Sequence, residues 1–532
     1  MVRHTRGGAC ASDENSEQPI HHRSKNDCLN ATSANIVSEN TSTEEIGTAP
    51  KFQRVEQRVG EVPFWTKFAQ GFSALPGQHK EWAFNTLLLL YYSQVLGMSA
   101  TLAAVVIAIS LVFDAISDPV VGAFSDSFSS RLGRRHPLML ASIAPSCVAI
   151  FALFSPPQGL DSYYLATWML ISTVTLRVSF SFFAVPWGAI GAELSTDYQE
   201  RTVIIAYRML VGGLGGVLFI FFITGEVFPD SEQYPNGFLN PDNYPLFAII
   251  IAGLMGLWMT FSTLSTMDQI KFLPQPTGVL PVVSLIDILE RIHEAIKNQN
   301  FGVLFVATMI AAVVIGTGQV FDSYMNAFFW GFGTSETRWF ALSFLGMAFA
   351  LITVAPLQKR FEKRDIMLIA IIMISILQVL KVSLRFAGWL PENGDPLLLQ
   401  ILVVHACVMG YCYFLVLMMF ASMMADIADD QELRNGLRQE GIFSGGIAFS
   451  GKVTTGFGLI FGGLLLDLVI VFPTGLQPGE VEQDVLIRMA VIDGIIMPAL
   501  NLIPFLLLRK YKLNRPAVQD IQNQLNAQKL SA

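Results

Sequence analysis

Charged residues and organised cysteines are scarce in this sequence. Asp, Glu, Lys and Arg make up 14% of the 532 residues, whereas soluble domains carry about 25%. The five cysteines form no CxxC pair and no disulfide framework, so we interpret them as free thiols. There is no HExxH, no GxSxG and no paired metal-ligand motif, and no basic cluster of the kind that binds nucleic acid. We therefore expect neither an enzyme nor a nucleic-acid partner.

The N-terminal region also lacks any apolar run. It mixes both signs of charge with Ser, Thr, Asn and Gly. A signal peptide needs an apolar core of about 7–15 residues, and a folded segment needs apolar surface to bury. The composition predicts a disordered cytoplasmic tail over residues 1–65.

Apolar stretches dominate the rest of the chain. Hydrophobic residues make up 52% of the sequence, and the mean hydropathy is +0.49. About 20 consecutive apolar residues cross a bilayer as a helix. We therefore predict an all-α integral membrane protein, surrounded by lipid, with twelve spans at residues 74–97, 102–125, 137–155, 163–192, 203–224, 244–264, 301–331, 337–357, 366–389, 398–424, 441–471 and 488–508.

Positive charge alternates between the predicted loops. Lys and Arg are concentrated after the even-numbered spans, and the 5–6 loop at residues 225–245 has none. Cytoplasmic loops of membrane proteins carry an excess of these residues. The pattern predicts a plasma (inner) membrane protein with both termini in the cytoplasm. The basic residues in the two richest loops are Arg131, Arg134 and Arg135 after span 2, and Lys359, Arg360, Lys363 and Arg364 after span 8.

Two polar motifs occur twice, at nearly the same offset. Residues 133–136 after span 2 correspond to 362–365 after span 8, and residues 192–197 after span 4 correspond to 425–430 after span 10. Chance similarity of short loops is the alternative, but parallel repeats are a transporter architecture with the binding site between them. We predict two parallel six-helix halves at 70–264 and 301–510, a linker at 265–300 with an amphipathic helix at 283–297, and a cytoplasmic tail at 511–532.

Span 2 carries two carboxylates, Asp114 and Asp118, and no other charge. A spacing of four residues puts both on one helical face. A charged side chain at mid-bilayer costs about 2.5–3.5 kcal/mol on insertion scales. Both carboxylates are therefore expected to face a polar interior and to meet a cation, a proton or a basic side chain.

Three of the basic residues in the predicted spans are candidates for the interior of the bundle. Arg177 in span 4, one turn before Ser181, is a partner for Asp114 or Asp118, either as a permanent ion pair or as a switchable site. Lys452 in span 11 should face the central cavity and pair there. Arg208 in span 5 suits the gripping of hydroxyl or carboxylate groups, or it snorkels to the interface.

Other polar residues allow two interpretations each. Gln319, Asp322 and Asn326 form one stripe on span 7, which could line the cavity or bond to a neighbouring helix. His405 in span 10 is more typical of packing than of a proton relay. A set of charged residues near the cytoplasmic loops forms either a solvated surface or an inner gate: Arg134, Arg135, Asp426, Asp429, Arg438 and Glu440.

Several blocks resemble one family. Residues 113–122 (FDAISDPVVG) and 131–135 (RLGRR) resemble the helix-2 signature of the glycoside–pentoside–hexuronide:cation symporters, a branch of the major facilitator superfamily. Further similar blocks cover residues 184–187 (AVPW), 200–202 (ERT), 206–208 (AYR), 425–429 (ADIAD) and 438–440 (RQE), together with Lys452.

The resemblance implies the major facilitator fold and a transporter that couples a small-molecule solute to a monovalent cation, with no cofactor other than the co-transported H⁺ or Na⁺. In the family the two helix-2 carboxylates coordinate the cation, which implies that role for Asp114 and Asp118. It also implies help from Ser117 and Ser181, a solute contact by Arg208, and a lysine near the cation at Lys452.

The sequence departs from the family at its sugar-binding positions. Ala184 and Gly188 stand where melibiose permease has a carboxylate and an aromatic residue, and Gln78 stands where it has an aspartate. Arg177 supplies a positive charge beside the carboxylates, which favours H⁺ coupling or an altered cation site over plain Na⁺. We assign Arg208, Gln78 and Trp82 to the solute.

The predicted function is symport of a sugar, glycoside or uronate-like solute by alternating access, by a monomer. Two alternatives remain open. One is a sodium-dependent carrier of an amphipathic solute such as a lysolipid, which a lateral apolar opening would favour. The other is a transport-inactive membrane sensor, for which the N-terminal tail is the sole indication.

Overall fold

A computed structural model describes residues 52–54, 58, 60–128, 130–195, 197–276, 298–435 and 440–531. The predicted amphipathic helix at 283–297 and nearly all of the predicted N-terminal tail lie outside these residues. Among them, strand pairing is confined to Phe52–Arg54, which runs antiparallel to Pro274–Pro276. This pairing joins the chain before span 1 to the chain after span 6.

The described chain is otherwise helical, which confirms the predicted all-α class. Eleven helices are long and apolar enough to cross a membrane, and span 1 consists of shorter segments. Spans 2 to 11 contain the α-helices Ala100–Ser127, His136–Phe154, Ser162–Glu193, Tyr198–Phe222, Asn243–Leu264, Gln299–Tyr324, Ser343–Arg360, Lys363–Phe386, Pro396–Asn435 and Glu440–Leu464, and span 12 comprises Gln483–Val491, Ile492–Ile496, Met497–Leu500 and Leu502–Leu508.

Span 1 begins earlier than its hydropathy predicts. Its helical segments are Phe64–Phe72, Leu75–Trp82, Ala83–Leu88 and Tyr91–Val95, so the first turn precedes the predicted start at residue 74. The reason is a compensated charge: Lys67 is largely buried, and its Nζ lies 3.0 Å from Glu200 Oε1 at the start of span 5. A paired charge of this kind can lie in a packed helix although it lowers the local hydropathy.

Four spans end in π-helical turns. The turns are Tyr91–Val95 in span 1, Ile223–Val227 in span 5, Met325–Phe329 in span 7 and Leu465–Ile470 in span 11. Spans 1 and 7 are equivalent in the predicted repeat, as are spans 5 and 11. The same local distortion therefore occurs at corresponding positions of both halves, and such turns are frequent at functional sites.

Span 11 packs closely between spans 2 and 7. A Cβ atom built on Gly463 would lie 2.8 Å from Ala104 Cβ, and one built on Gly458 would touch the carbonyl oxygen of Val313. Small residues let membrane helices approach this closely. The packing brings the middle of span 11 against the carboxylates of span 2.

Hydrogen bonds join the two halves at the end of the bundle that carries the 5–6 and 7–8 loops. Asp230 in the 5–6 loop accepts bonds from the backbone N–H of Thr334 at 2.8 Å and of Ser335 at 2.9 Å. Asn236 donates to the carbonyl of Phe332 at 2.9 Å. At the same end, Asp467 of span 11 accepts bonds from the first backbone N–H groups of span 2.

The C-terminal region contains one more helix, Arg515–Ser531, which packs against span 10. The Arg515 guanidinium donates to the carbonyl of Gln358 at 2.5 Å, and its backbone N–H donates to Glu362 Oε2 at 3.0 Å. Most of the predicted tail at 511–532 is therefore an ordered helix, held at its start by the 8–9 loop.

Candidate functional site

The carboxylates of span 2 meet a lysine from the other half. Lys452 Nζ lies 2.7 Å from Asp114 Oδ2 and 2.6 Å from Asp118 Oδ2. One ammonium group thus bridges both carboxylates. It lies between the two acids and connects span 11 to span 2.

Span 4 supplies the remaining partners. Arg177 Nη1 donates to Asp114 Oδ2 at 3.3 Å, and its Nε donates to Ser110 Oγ at 2.9 Å. Ser181 Oγ donates to Asp118 Oδ1 at 2.7 Å, and the hydroxyls of Ser181 and Ser117 are 2.9 Å apart. All six residues predicted at the cation site therefore come together. Five of them come from spans 2 and 4, and Lys452 completes the group from span 11.

The two carboxylates differ in access. The Asp114 side chain is 11% exposed, whereas that of Asp118 is 38% exposed and that of Lys452 is 31% exposed. Asp114, Arg177 and Lys452 line a cavity of about 230 Å³. Asp114 is thus reachable from a cavity inside the bundle, whereas Asp118 is the more exposed acid but does not line that cavity.

Sequence reasoning missed two charges of this site, Lys80 and Glu81 in span 1. Their side chains form an ion pair at 2.9 Å, Lys80 Nζ lies 4.7 Å from the centroid of the Phe180 ring, and Glu81 lines the same cavity. Their presence inside an apolar span was the available signal. With them, three acids face three bases, so the site is neutral without an added cation: Glu81, Asp114 and Asp118 against Lys80, Arg177 and Lys452.

A larger cavity of about 910 Å³ lies beside the first, and Asn85 and Gln319 line both. Of the three residues assigned to the solute, Trp82 lines this larger cavity. Arg208 instead donates to Gln70 Oε1 at 2.7 Å and to the Trp187 carbonyl at 2.8 Å, and it lines neither of the two cavities. Gln78 is exposed and also lines neither.

The polar stripe of span 7 faces the larger cavity, where Gln319, Asp322 and Asn326 all form part of the lining. His405 also lines it, with its Nε2 hydrogen-bonded to the carbonyl of Leu377 at 3.2 Å. Sequence reasoning missed three further polar side chains of this cavity, which come from spans 9 and 12: Gln378, Lys381 and Asp493.

The residues predicted to gate form pairs within each half. Arg134 and Arg135 are buried and bond to Glu193, with Arg134 Nη2 2.5 Å from Glu193 Oε1. Asp426 accepts from Lys363 at 2.7 Å, and Asp429 accepts from Gln522 at 3.3 Å. The first and second pairings lie at corresponding positions of the predicted repeat. Arg438 lies outside the described residues, as does the side chain of Glu440.

Arg134 and Asp230, which lie outside the membrane spans, both have shifted pKa values. Burial and the neighbouring Arg135 lower the pKa of the Arg134 guanidinium, which Glu193 and Asp126 partly offset. Burial would raise the pKa of the Asp230 carboxyl, but the hydrogen bonds from Ser335 and Thr334 outweigh it and lower the pKa below its usual value. Asp230 therefore stays ionised at neutral pH.

No cluster of three or more His, Cys, Asp and Glu side chains suited to a metal ion occurs among the described residues. The pair at Asp114 and Asp118 offers two carboxylates and two serine hydroxyls. Oxygen donors of this kind suit a hard monovalent cation or a proton rather than a transition metal.

Comparisons with known proteins agree with this architecture. The protein is 22% identical to a protein named as a glycoside/cation symporter, YagG of Escherichia coli (strain K12), over 82% of this chain and 90% of that one. It is 29% identical to the sodium-dependent lysophosphatidylcholine symporter 1 of Mus musculus, over 30% of each chain.

A solved structure and a family model complete the comparison. The fold is similar to that of the nucleoside transporter NupG, with a TM-score of 0.54 and 15% identity over 85% of this chain and all of that one. Residues 69–515 match the family model described as MFS/sugar transport protein. This chain therefore belongs to the MFS/sugar transport family and is a multi-pass membrane transporter of the major facilitator fold.

Proposed function

We propose that this protein is a cation-coupled symporter that carries a sugar or glycoside by alternating access. The observation that supports this best is the bridge from Lys452 to both Asp114 and Asp118. The bridge connects the two halves at the point where a coupling cation would bind. The similarity to a protein named as a glycoside/cation symporter over most of both chains supports the solute class.

Coupling would work by competition for the carboxylates. The site is neutral with Lys452 in it, so an added cation brings an excess positive charge unless the ammonium leaves. Protonation of Asp118 would remove one of the two charges that hold Lys452 Nζ and leave only Asp114, at 2.7 Å, while the Ser181 hydroxyl at Oδ1 could stay bonded. Binding of the proton would thus loosen the tie between spans 2 and 11, which a change of access requires.

The balance of charges supports H⁺ as the coupling ion. Arg177 and Lys452 already provide the positive charge that Na⁺ would bring to Asp114. A proton neutralises one carboxylate without needing four or more oxygen ligands. Na⁺ would need both carboxylates vacated by the lysine.

The substitution Asp118→Asn tests the proposal. The amide keeps the shape of the side chain but can neither bind a proton nor hold the ammonium by charge. We expect normal amounts of protein in the membrane and loss of concentrative uptake to the level of equilibration. Asp161→Asn, in the exposed 3–4 loop, is the matched control, and normal accumulation by Asp118→Asn would overturn the assignment.

The two alternatives are supported less well. Similarity to the lysophosphatidylcholine symporter extends over 30% of the chain, against 82% for the glycoside/cation symporter. The larger cavity has mostly apolar walls, but its charged and amide side chains offer hydroxyl groups partners that an acyl chain would not use. The sensor alternative rests on the N-terminal tail. Deletion of residues 1–60 without loss of uptake would rule it out.

A further inference from the structure

The larger cavity carries unequal numbers of acidic and basic side chains. Its charged lining residues are Asp322 from span 7, Lys381 from span 9 and Asp493 from span 12. Lys381 interacts electrostatically with both carboxylates, and the carboxylates interact with each other. With both carboxyls ionised, one base against two acids leaves one negative charge, whereas the charges of the Asp114 site are balanced. This excess of acidic groups lies in the second half, beside the larger cavity.

The two carboxylates are presented in different ways. Asp322 is exposed to the cavity, and among the described residues its carboxylate has no hydrogen-bond partner. Asp493 is only 7% exposed, and the Gln378 amide donates to its Oδ2 at 3.3 Å. The Asp322 carboxylate is thus open to new donors, the Asp493 carboxylate is already oriented by a hydrogen bond, and the Lys381 ammonium lies near both. Together the two carboxylates can accept hydrogen bonds from several hydroxyl groups at once.

The rest of the lining fits a ring with polar edges and apolar faces. Trp82, Trp330 and Phe340 contribute aromatic surface, while Asn85, Gln319 and Asn326 contribute amides. Lys381 Nζ lies 5.9 Å from the centroid of the Trp330 ring, so the charged and aromatic groups adjoin. Sites for small molecules typically combine apolar walls with a few convergent polar groups in about 300–1,000 Å³, and this cavity of about 910 Å³ does so.

We propose that Asp322, Asp493 and Lys381 form the solute-binding site, and that they select a polyhydroxylated solute that is neutral or carries an amino group. A uronate would add a second negative charge to a site that already has one in excess, so it is excluded. This inference rests on the proposed function and deepens it. It assigns recognition to the second half, whereas the cation site belongs mainly to the first.

Binding to the purified full-length protein tests the inference. The probes are matched sets of gluco-, galacto- and manno-configured sugars, each as the methyl glycoside, the 2-amino-2-deoxy sugar and the uronate. Thermal stabilisation and calorimetry give the affinity for each. We expect at least one set in which the neutral or amino member binds and the uronate binds at least about tenfold more weakly. No binding by any neutral or amino member would overturn the inference, as would binding of a uronate as tight as that of its neutral counterpart.

Two variants connect the site to the binding. Asp322→Asn and Asp493→Asn should each weaken the solute affinity by roughly tenfold or more, and Asp161→Asn in the 3–4 loop should leave it unchanged. If both variants keep the affinity and alter only the pH dependence of uptake, the cluster is a proton site and the inference is wrong.

The failure of the proposed function would look different. Asp118→Asn should abolish accumulation while solute binding persists. If Asp118→Asn accumulates normally but Asp322→Asn still loses binding, the coupling assignment fails and the solute site stands.

Discussion

Lys452 is the side chain that links the coupling carboxylates to the other half of the molecule. Its ammonium contacts both Asp114 and Asp118, and its exposure of 31% leaves it free to move toward the cavity. An ion pair that is partly accessible can be broken by a competing ion more easily than a sealed one. In our proposal the residue acts as an internal competitor of the coupling cation.

Removal of the Lys452 ammonium should separate movement of the solute across the membrane from its coupling to the cation. In Lys452→Ala the two carboxylates lie close together without the one ammonium that contacts both, so one of them should hold a proton permanently. We expect accumulation to fall by at least about tenfold, while exchange of labelled solute across the membrane continues. Lys452→Arg keeps the charge and serves as the control. Wild-type accumulation by the alanine variant would contradict the competitor role.

The structure brings together the six residues that the sequence predicted for the coupling site, but of the three predicted for the solute only Trp82 lines the larger cavity. The spacing of Asp114 and Asp118 alone requires a shared face and a positive partner, whatever the fold. Lys381 and Asp493 lie in different apolar spans, and hydropathy does not tell which way each span is rotated. Arg208 and Gln78 were assigned from their alignment with the family, and neither lines the cavities described above.

At the scale of the elements, close helix contacts and distorted helix ends determine how the two halves pack together. Close glycine contacts hold span 11 against spans 2 and 7, and π-helical turns change the register of spans 1, 5, 7 and 11. A π-helical turn follows from tertiary packing rather than from local propensity, so the sequence could not predict it. The twelve spans themselves followed from apolar length.

The contact of Asp230 with the 7–8 loop should act as a latch on the face predicted to be extracellular. Hydrogen bonding lowers the pKa of Asp230, so its stabilising contribution is present above the ordinary pKa of 3.8 and is lost as pH falls through the lowered value. The latch should therefore stay intact between pH 5 and 8. In Asp230→Ala, we expect a cysteine introduced at Ser93 to react faster with a thiol reagent added from outside.

Two controls make this result specific. Asp242→Ala, in the same loop and exposed, should leave the labelling rate unchanged. An unchanged rate in Asp230→Ala, or a rate in the wild type that rises steeply between pH 8 and pH 5, would contradict the latch.

At the scale of the whole molecule, two polar sites lie side by side between the halves and share Asn85 and Gln319 as lining residues. In our proposal the first site exchanges one positive group for another, and the second binds the solute in a cavity that is lined by residues of both halves. The Lys452 bridge connects spans 2 and 11, which belong to different halves. We therefore expect the bundle to change access only when both sites are satisfied.

Uptake by purified protein in sealed liposomes tests the central claim most directly, that a proton replaces Lys452 at the carboxylates. The interior is buffered at higher pH than the exterior, Na⁺ and Li⁺ are absent, and the solute is one that binds the purified protein. The account predicts uphill accumulation that collapses when a protonophore abolishes the pH gradient. Strict dependence of accumulation on Na⁺, with no response to the pH gradient, would contradict it.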